Sequence, residues 1–129
     1  MHPTILVIDP DEKHHQRFQQ LLTELEIKVV FYDSAEHLPP DLDIRSYPLV
    51  IMDLDGILPT KRCLEAWRRE NPVLKCIGLS QRTYHPHLGD LIDRYLFACI
   101  KKPVDPDELA YLLKSASFSD GQLEHGSAI

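Results

Sequence analysis

The sequence lacks a membrane-spanning segment, a secretion signal and an excess of basic residues. None of its apolar runs is long enough to cross a bilayer, and its start lacks the charged-then-apolar pattern of a signal peptide. The 14 lysine and arginine residues are outnumbered by 20 aspartate and glutamate residues, and the resulting net charge of −6 disfavours electrostatic binding to nucleic acid. We therefore expect a cytoplasmic protein that binds neither membranes nor nucleic acid directly.

Disulfide and zinc-binding patterns are also missing. The chain has three cysteines, Cys63, Cys76 and Cys99. Their number is odd and no C-x-x-C spacing occurs, so we expect reduced thiols in or near the core. The pairs His14–His15 and His85–His87 lack a third ligand at a useful spacing, so the sequence predicts no zinc or copper site.

Five short apolar runs alternate with amphipathic helical patterns. The runs cover 5–8, 27–31, 49–52, 76–80 and 97–100. Continuous apolar strands, rather than alternating ones, indicate a parallel sheet that is buried on both faces. We predict an α/β fold of the flavodoxin-like type, with a five-stranded parallel sheet in the order 2-1-3-4-5 and helices on both faces.

The helical stripes and their boundaries support this alternation. One stripe runs from Phe18 to Leu25, a second surrounds Trp67, and a third runs from Leu88 to Leu96. Asp105 followed by Pro106 is typical of a helix N-terminus, and it predicts a last helix. Periodicity is lost over 117–129, so we expect one domain over 1–116 and then a flexible tail or linker stub.

Polar residues directly follow four of the predicted strands. These residues are Asp9, Asp53, Ser80 and Lys102. In the order 2-1-3-4-5 the four strands are successive neighbours, so the two carboxylates, the hydroxyl and the ammonium should converge beyond their carboxyl ends. A carboxylate that attacks a phosphoryl group needs nearby positive charge, which a divalent cation and an ammonium supply. From this convergence we predict that Asp53 is the nucleophile and that Asp9 lies near the metal. We predict that Lys102 stabilises the negative charge and that the Ser80 hydroxyl hydrogen-bonds the transferred phosphoryl group.

In this order and spacing, the motifs resemble those of a response-regulator receiver domain of two-component signalling. ILVIDPDE resembles the first strand and acidic loop of that family, and LVIMD resembles its phosphoacceptor strand. GLS resembles its Ser/Thr strand, and IKKPVDPDEL its Lys-Pro signature before the last helix. The resemblance covers about residues 3 to 116.

The resemblance implies phosphotransfer signalling rather than enzymatic turnover of a separate substrate. It implies that a histidine kinase or phosphotransfer protein phosphorylates Asp53, with self-phosphorylation and self-dephosphorylation as the only chemistry of the chain. It also implies a Mg²⁺ ion held by Asp9, Asp53 and the backbone carbonyl of Asp55, and a cis bond between Lys102 and Pro103. The region 85–115 is the corresponding partner surface and could form a homodimer.

Four positions depart from the family pattern. Pro10 stands where the family has a second acidic metal ligand, and Asp11 is the nearest carboxylate that could replace it. Ile57 replaces a usual proline, Gln81 a usual small residue, and Cys99 the usual aromatic switch residue. Because Mg²⁺ prefers hard oxygen ligands, the loss at position 10 predicts weak magnesium binding by an atypical receiver domain.

Two alternatives remain. The departures also suit a pseudo-receiver that acts as a protein-interaction module without phosphorylation. The segment Asp53-Leu54-Asp55-Gly56 further matches the opening motif of haloacid-dehalogenase phosphohydrolases, in which Asp53 would be the nucleophile and Asp55 the general acid/base. That motif normally ends the first strand, whereas here it ends the third and only 76 residues follow it, so we place the phosphohydrolase last.

Overall fold

A computed structural model describes residues 4–34, 38–55, 61–81 and 95–115. Its five strands form one parallel sheet in the order β2-β1-β3-β4-β5. The strands are β1 (Thr4–Ile8), β2 (Lys28–Tyr32), β3 (Leu49–Asp53), β4 (Lys75–Ser80) and β5 (Ala98–Lys101). The predicted sheet and strand order are confirmed, and the predicted strand limits differ by about one residue.

The register of the sheet aligns the carboxyl ends of its central strands. Leu6 pairs with Val50 across β1 and β3, and Asp53 pairs with Leu79 across β3 and β4. Strand β3 extends one residue beyond its predicted end because Asp53 still takes part in this pairing. The last residue of β4, Ser80, pairs with Lys101 of β5. The residues at these ends therefore meet at one edge of the sheet.

Three α-helices cover the sheet in the described parts of the chain: α1 (Glu12–Glu24), α2 (Lys61–Glu70) and α3 (Pro106–Ser115). The carboxylate of Asp11 caps α1 by accepting a hydrogen bond from the Lys13 amide at 2.9 Å. Asp105 caps α3 in the same way, accepting from the Asp107 amide at 2.9 Å. Each capping oxygen satisfies a helical amide that would otherwise be unpaired. The last helix begins at Pro106 after its Asp105 cap, so its predicted start is confirmed.

Each face of the sheet carries its own apolar core. Ile5 and Val7 of β1 point to the face covered by α1 and α3, where Phe18, Leu22, Leu109 and Leu113 are buried. Leu6 and Ile8 point to the opposite face, where Leu64 and Trp67 of α2 are buried. Successive side chains of a strand point to opposite faces, so a strand enclosed by both cores has to be apolar throughout. This confirms the prediction of helices on both faces.

The cysteines differ in exposure. All three are free; Cys76 is buried, Cys63 is half-buried and Cys99 on β5 is exposed. Burial raises the pKa of the Cys76 thiol to about 12, so this thiol is uncharged at neutral pH. The expectation of thiols in or near the core therefore fits Cys76 and Cys63 better than Cys99.

Five predictions fall partly or wholly outside the described residues. They concern most of the helical stripe from Leu88 to Leu96, Ile57 after the third strand, the pair His85–His87, part of the partner surface over 85–115, and the tail over 117–129. Within the described ranges, no helix is both long and apolar enough to cross a membrane.

Candidate functional site

The four residues predicted to converge lie at the carboxyl edge of the sheet. Asp53 and Ser80 are the last residues of β3 and β4, whereas Asp9 and Lys102 directly follow β1 and β5. The Lys102 amide donates to the carbonyl oxygen of Ser80 at 2.8 Å, which ties the end of β5 to the end of β4. Asp9, Asp53 and Ser80 are all buried, at 0%, 6% and 2% exposure. The edge therefore holds polar groups that are largely withdrawn from solvent.

Lys102 connects two carboxylates at this edge. Its ammonium donates to Asp53 Oδ1 and lies 3.3 Å from Asp55 Oδ2. Burial lowers the pKa of Lys102, but hydrogen bonds and charge attraction from Asp53 and Asp55 outweigh it and raise the pKa above 10.5. The ammonium is therefore charged at neutral pH. The cis bond between Lys102 and Pro103, implied by the resemblance, is present.

The side chain of Asp55 is a member of the site that the receiver resemblance does not predict. Its Oδ1 accepts a hydrogen bond from the Ser80 hydroxyl at 2.8 Å, and its Oδ2 accepts one from the Gln81 amide at 2.7 Å. The amide of Asp55 donates to Asp53 Oδ1 at 3.4 Å. The receiver resemblance assigns a role only to the backbone carbonyl of Asp55, and only the phosphohydrolase alternative uses its carboxylate. The structure adds that its carboxylate faces the other site residues.

The Asp55 carboxylate is stabilised in its charged form. Burial raises its pKa, but hydrogen bonds from the Gln81 amide, the Ser80 hydroxyl and Lys102 outweigh that effect and hold the pKa below 3.8. The folded chain therefore binds this proton less readily than the unfolded chain does.

Acid should remove the stabilisation that Asp55 provides. Since its pKa is depressed by folding, its contribution is complete above pH 3.8 and is lost as the pH falls through the lower folded-state value. We expect the free energy of unfolding to fall more steeply below about pH 3.8 in the wild type than in Asp55→Asn. Urea titrations at stepped pH values measure both slopes. All acidic residues other than Asp55 are common to both proteins. An equally steep fall of the free energy of unfolding with pH in both would therefore contradict the prediction.

Asp9 is engaged by two histidines that the sequence left without a role. Its Oδ1 accepts from the Asp11 amide at 2.9 Å, and its Oδ2 lies 2.8 Å from His14 Nδ1. The carbonyl oxygen of Asp9 lies 2.6 Å from Nε2 of His15, whose ring stacks on Phe31 at 4.5 Å. His14 and His15 lie in the first turn of α1, and first-turn side chains lean back toward the preceding loop. Their position in the first turn is the sequence feature that could have indicated a contact with the end of β1.

The edge carries oxygen atoms of the chemical type that Mg²⁺ prefers as ligands. Mg²⁺ is often held by only one or two carboxylates together with waters and phosphate oxygens. Asp9 and Asp53 offer buried carboxylates, and Asp55 offers a backbone carbonyl. Pro10 is exposed and has no side-chain oxygen, and the Asp11 carboxylate is used to cap α1. In the parts of the chain that the structure describes, no cluster of three or more His, Cys, Asp or Glu side chains is placed to hold a metal.

A cleft of about 400 Å³ opens beside Lys102. His14 and Arg17 of α1 form one wall, and Pro103 and Val104 form part of the other. Gln81 also lines the cleft and is exposed. Two basic side chains of its lining, Arg17 and Lys102, make the cleft suitable for an anion.

Solved structures provide the comparison with known proteins. At 25% identity and a TM-score of 0.77, the chain resembles the signal receiver domain of an HD domain-containing protein from Pseudomonas fluorescens, covering 96% of this chain and 93% of that one. It also resembles the chemotaxis protein CheY4 of Vibrio cholerae, at 15% identity and a TM-score of 0.72, with 90% and 99% covered. A putative pilus assembly protein from Burkholderia thailandensis matches at 20% identity and a TM-score of 0.72, with 89% and 98% covered.

The fold likeness is therefore much stronger than the sequence likeness. No protein-family model matches the sequence, and no curated protein matches it significantly. The neighbours nevertheless include several response-regulator receiver domains that align over most of both chains. Together with the strand order, they confirm the resemblance found in the sequence: the chain has the fold of response-regulator receiver domains.

Proposed function

We propose that the chain acts in the cytoplasm as a receiver in phosphorelay signalling, accepting a phosphoryl group on Asp53 from a histidine kinase or phosphotransfer protein. The observation that carries the proposal is the contact between the Lys102 ammonium and the buried Asp53 carboxylate at the carboxyl edge of the sheet. A receiver needs this pairing of a nucleophilic carboxylate with a fixed cation.

The chemistry assigns one role to each group. An oxygen of Asp53 attacks phosphorus as the bond from phosphorus to the donor's imidazole nitrogen breaks, and the electron pair of that bond returns to the imidazole. Lys102 stabilises the negative charge on the transferred group, and the Ser80 hydroxyl can donate to one of its oxygens. Arg17 lines the cleft beside Lys102, where its positive charge would attract an anionic donor. The phosphorylated state would then change the partner surface over 85–115.

Magnesium is part of the proposal. Asp9, Asp53 and the backbone carbonyl of Asp55 would hold the ion, and the bound ion would reduce the repulsion between the carboxylates and the incoming phosphoryl group. We propose that binding is weak, because Pro10 offers no side-chain oxygen. His14 already contacts the Asp9 carboxylate at Oδ2, so a bound ion would have to share this carboxylate with His14.

Incubation of the full chain with acetyl phosphate and Mg²⁺ tests this function. We expect intact-mass spectrometry to find one added phosphoryl group, because one carboxylate is paired with Lys102 in a buried position. Hydroxylamine should remove the group, as it does for acyl phosphates, and omission of Mg²⁺ should strongly reduce uptake. Absence of an adduct, with phosphoramidate tried as a second donor, would contradict the proposal.

The second candidate is a pseudo-receiver that binds partners without phosphorylation. The contact of 2.8 Å between His14 Nδ1 and Asp9 Oδ2 favours it, because it engages a carboxylate that the first candidate needs for magnesium. The partner region includes exposed Tyr111 on α3, at 69% exposure, whereas residues 85–94 lie outside the described ranges. A chain that gains no adduct, and whose oligomeric state by light scattering is unchanged by acetyl phosphate, would support this candidate over the first.

A further inference from the structure

Three hydrogen-bond donors, two from the end of β4 and one from the end of β5, converge on the Asp55 carboxylate. The Ser80 hydroxyl donates to Oδ1 at 2.8 Å, while the Gln81 amide and the Lys102 ammonium reach Oδ2 at 2.7 and 3.3 Å. A hydroxyl, a backbone amide and a cation arranged around one point form an oxyanion-binding site. The anion in that site is a side chain of the protein itself.

The same donors are the ones that a phosphoryl group on Asp53 would need. The Lys102 ammonium contacts Asp53 Oδ1 and Asp55 Oδ2 at once, so a group bonded to Asp53 and stabilised by Lys102 enters the space beside Asp55. Ser80 is the neighbour of Lys102 across the end of the sheet, joined to it by the backbone hydrogen bond of 2.8 Å. Two anions cannot share these donors without strong repulsion.

We propose that Asp55 is a built-in occupant of the phosphoryl site: its carboxylate takes the donors while Asp53 is unmodified and is displaced when Asp53 is phosphorylated. The proposal rests on the function proposed above. It adds that uptake requires an exchange of one anion for another, and that Asp55 slows this exchange.

Charge and exposure make the exchange feasible. A phosphoryl group carries nearly two negative charges and three acceptor oxygens, so it competes successfully against a carboxylate with one charge. The Asp55 side chain is 24% exposed, compared with 5% for Asp53, so it can turn out to solvent, where its charge is hydrated. Ser80 therefore has an acceptor in both states, and the displaced group is Asp55.

The first experiment examines the unmodified chain and needs no phosphorylation. We compare the wild type with Asp55→Ala, which removes the carboxylate and keeps the backbone carbonyl. Hydrogen exchange followed by NMR should show the Gln81 amide exchanging about tenfold faster or more in Asp55→Ala, since one charge-assisted hydrogen bond is lost. Unchanged exchange, with unchanged chemical shifts of the Gln81 amide and the Lys102 ammonium, would overturn the proposal even if the protein accepts phosphate normally.

The second experiment measures the initial rate of phosphoryl uptake from acetyl phosphate. We expect Asp55→Ala to react about tenfold faster than the wild type, because the donors are already available, and Asp55→Asn to lie between the two. Asp107→Asn is the matched control, since it removes one exposed acidic charge from the first turn of α3 and should leave the rate unchanged. An equal or slower rate in Asp55→Ala would overturn the proposal. Failure of every variant to react would refute the function proposed above. The hydrogen-exchange experiment would still test whether the Asp55 carboxylate occupies the donors.

Discussion

Asparagine at position 53 should abolish phosphoryl uptake and leave the fold intact. The side-chain amide of asparagine is a far weaker nucleophile than a carboxylate, so no acyl phosphate forms at this position. Asparagine has nearly the volume of aspartate, which matters because Asp53 is only 6% exposed. Its oxygen can still accept from Lys102 and from the amide of Asp55, and Lys102 keeps its contact of 3.3 Å with Asp55.

Mass spectrometry after incubation with acetyl phosphate measures the loss, and thermal unfolding checks the fold. Asp41→Asn is the control, because Asp41 is exposed in the segment before β3 and the substitution changes the net charge by the same amount. An adduct that persists in Asp53→Asn would contradict the assignment. If that adduct maps to Asp55, the neighbouring carboxylate is the acceptor instead.

The sheet and its edge could be predicted because both follow from local patterns. A run such as LVIM is apolar throughout only where both faces of a strand are buried, and β3 is indeed fully buried. The position of Asp53 at the end of this run fixed its place at the carboxyl edge. The same reasoning placed Ser80 and Lys102 on neighbouring strands, since parallel strands end at the same edge.

The side-chain contacts of Asp55 and His14 could not be predicted in this way. The partners of Asp55 lie 25 to 47 positions further along the chain, and nothing in the local sequence says which way a side chain beyond a strand end will turn. The sequence predicts no metal-binding role for His14, because no third ligand lies at a suitable spacing from His14 and His15. Its actual partner is the carboxylate of Asp9, and the partner contact depends on how α1 leaves β1. Both contacts require the three-dimensional course of the loops.

Alanine at position 102 should slow phosphoryl uptake by roughly 10²–10³-fold, the usual cost of removing one fixed donor that stabilises charge in a transition state. The Lys102 side chain is 11% exposed and its ammonium contacts two carboxylates, so its removal also leaves Asp53 and Asp55 without the positive charge between them. We therefore expect the free energy of unfolding at neutral pH to fall by about 1–3 kcal/mol, the typical cost of removing a charged hydrogen-bond donor from a buried acceptor.

Lys101→Ala is the matched control for both effects. Lys101 is the adjacent lysine, the last residue of β5, and it is exposed. Successive side chains of a strand alternate between faces, so removing this charge alters the net charge equally without reaching the site. Uptake rates from acetyl phosphate and urea unfolding curves, measured on both variants, separate the local role of Lys102 from the loss of one positive charge. Equal rates in the two variants would mean that Lys102 does not stabilise the transferred group, and the contact between Lys102 and Asp53 would then be structural only.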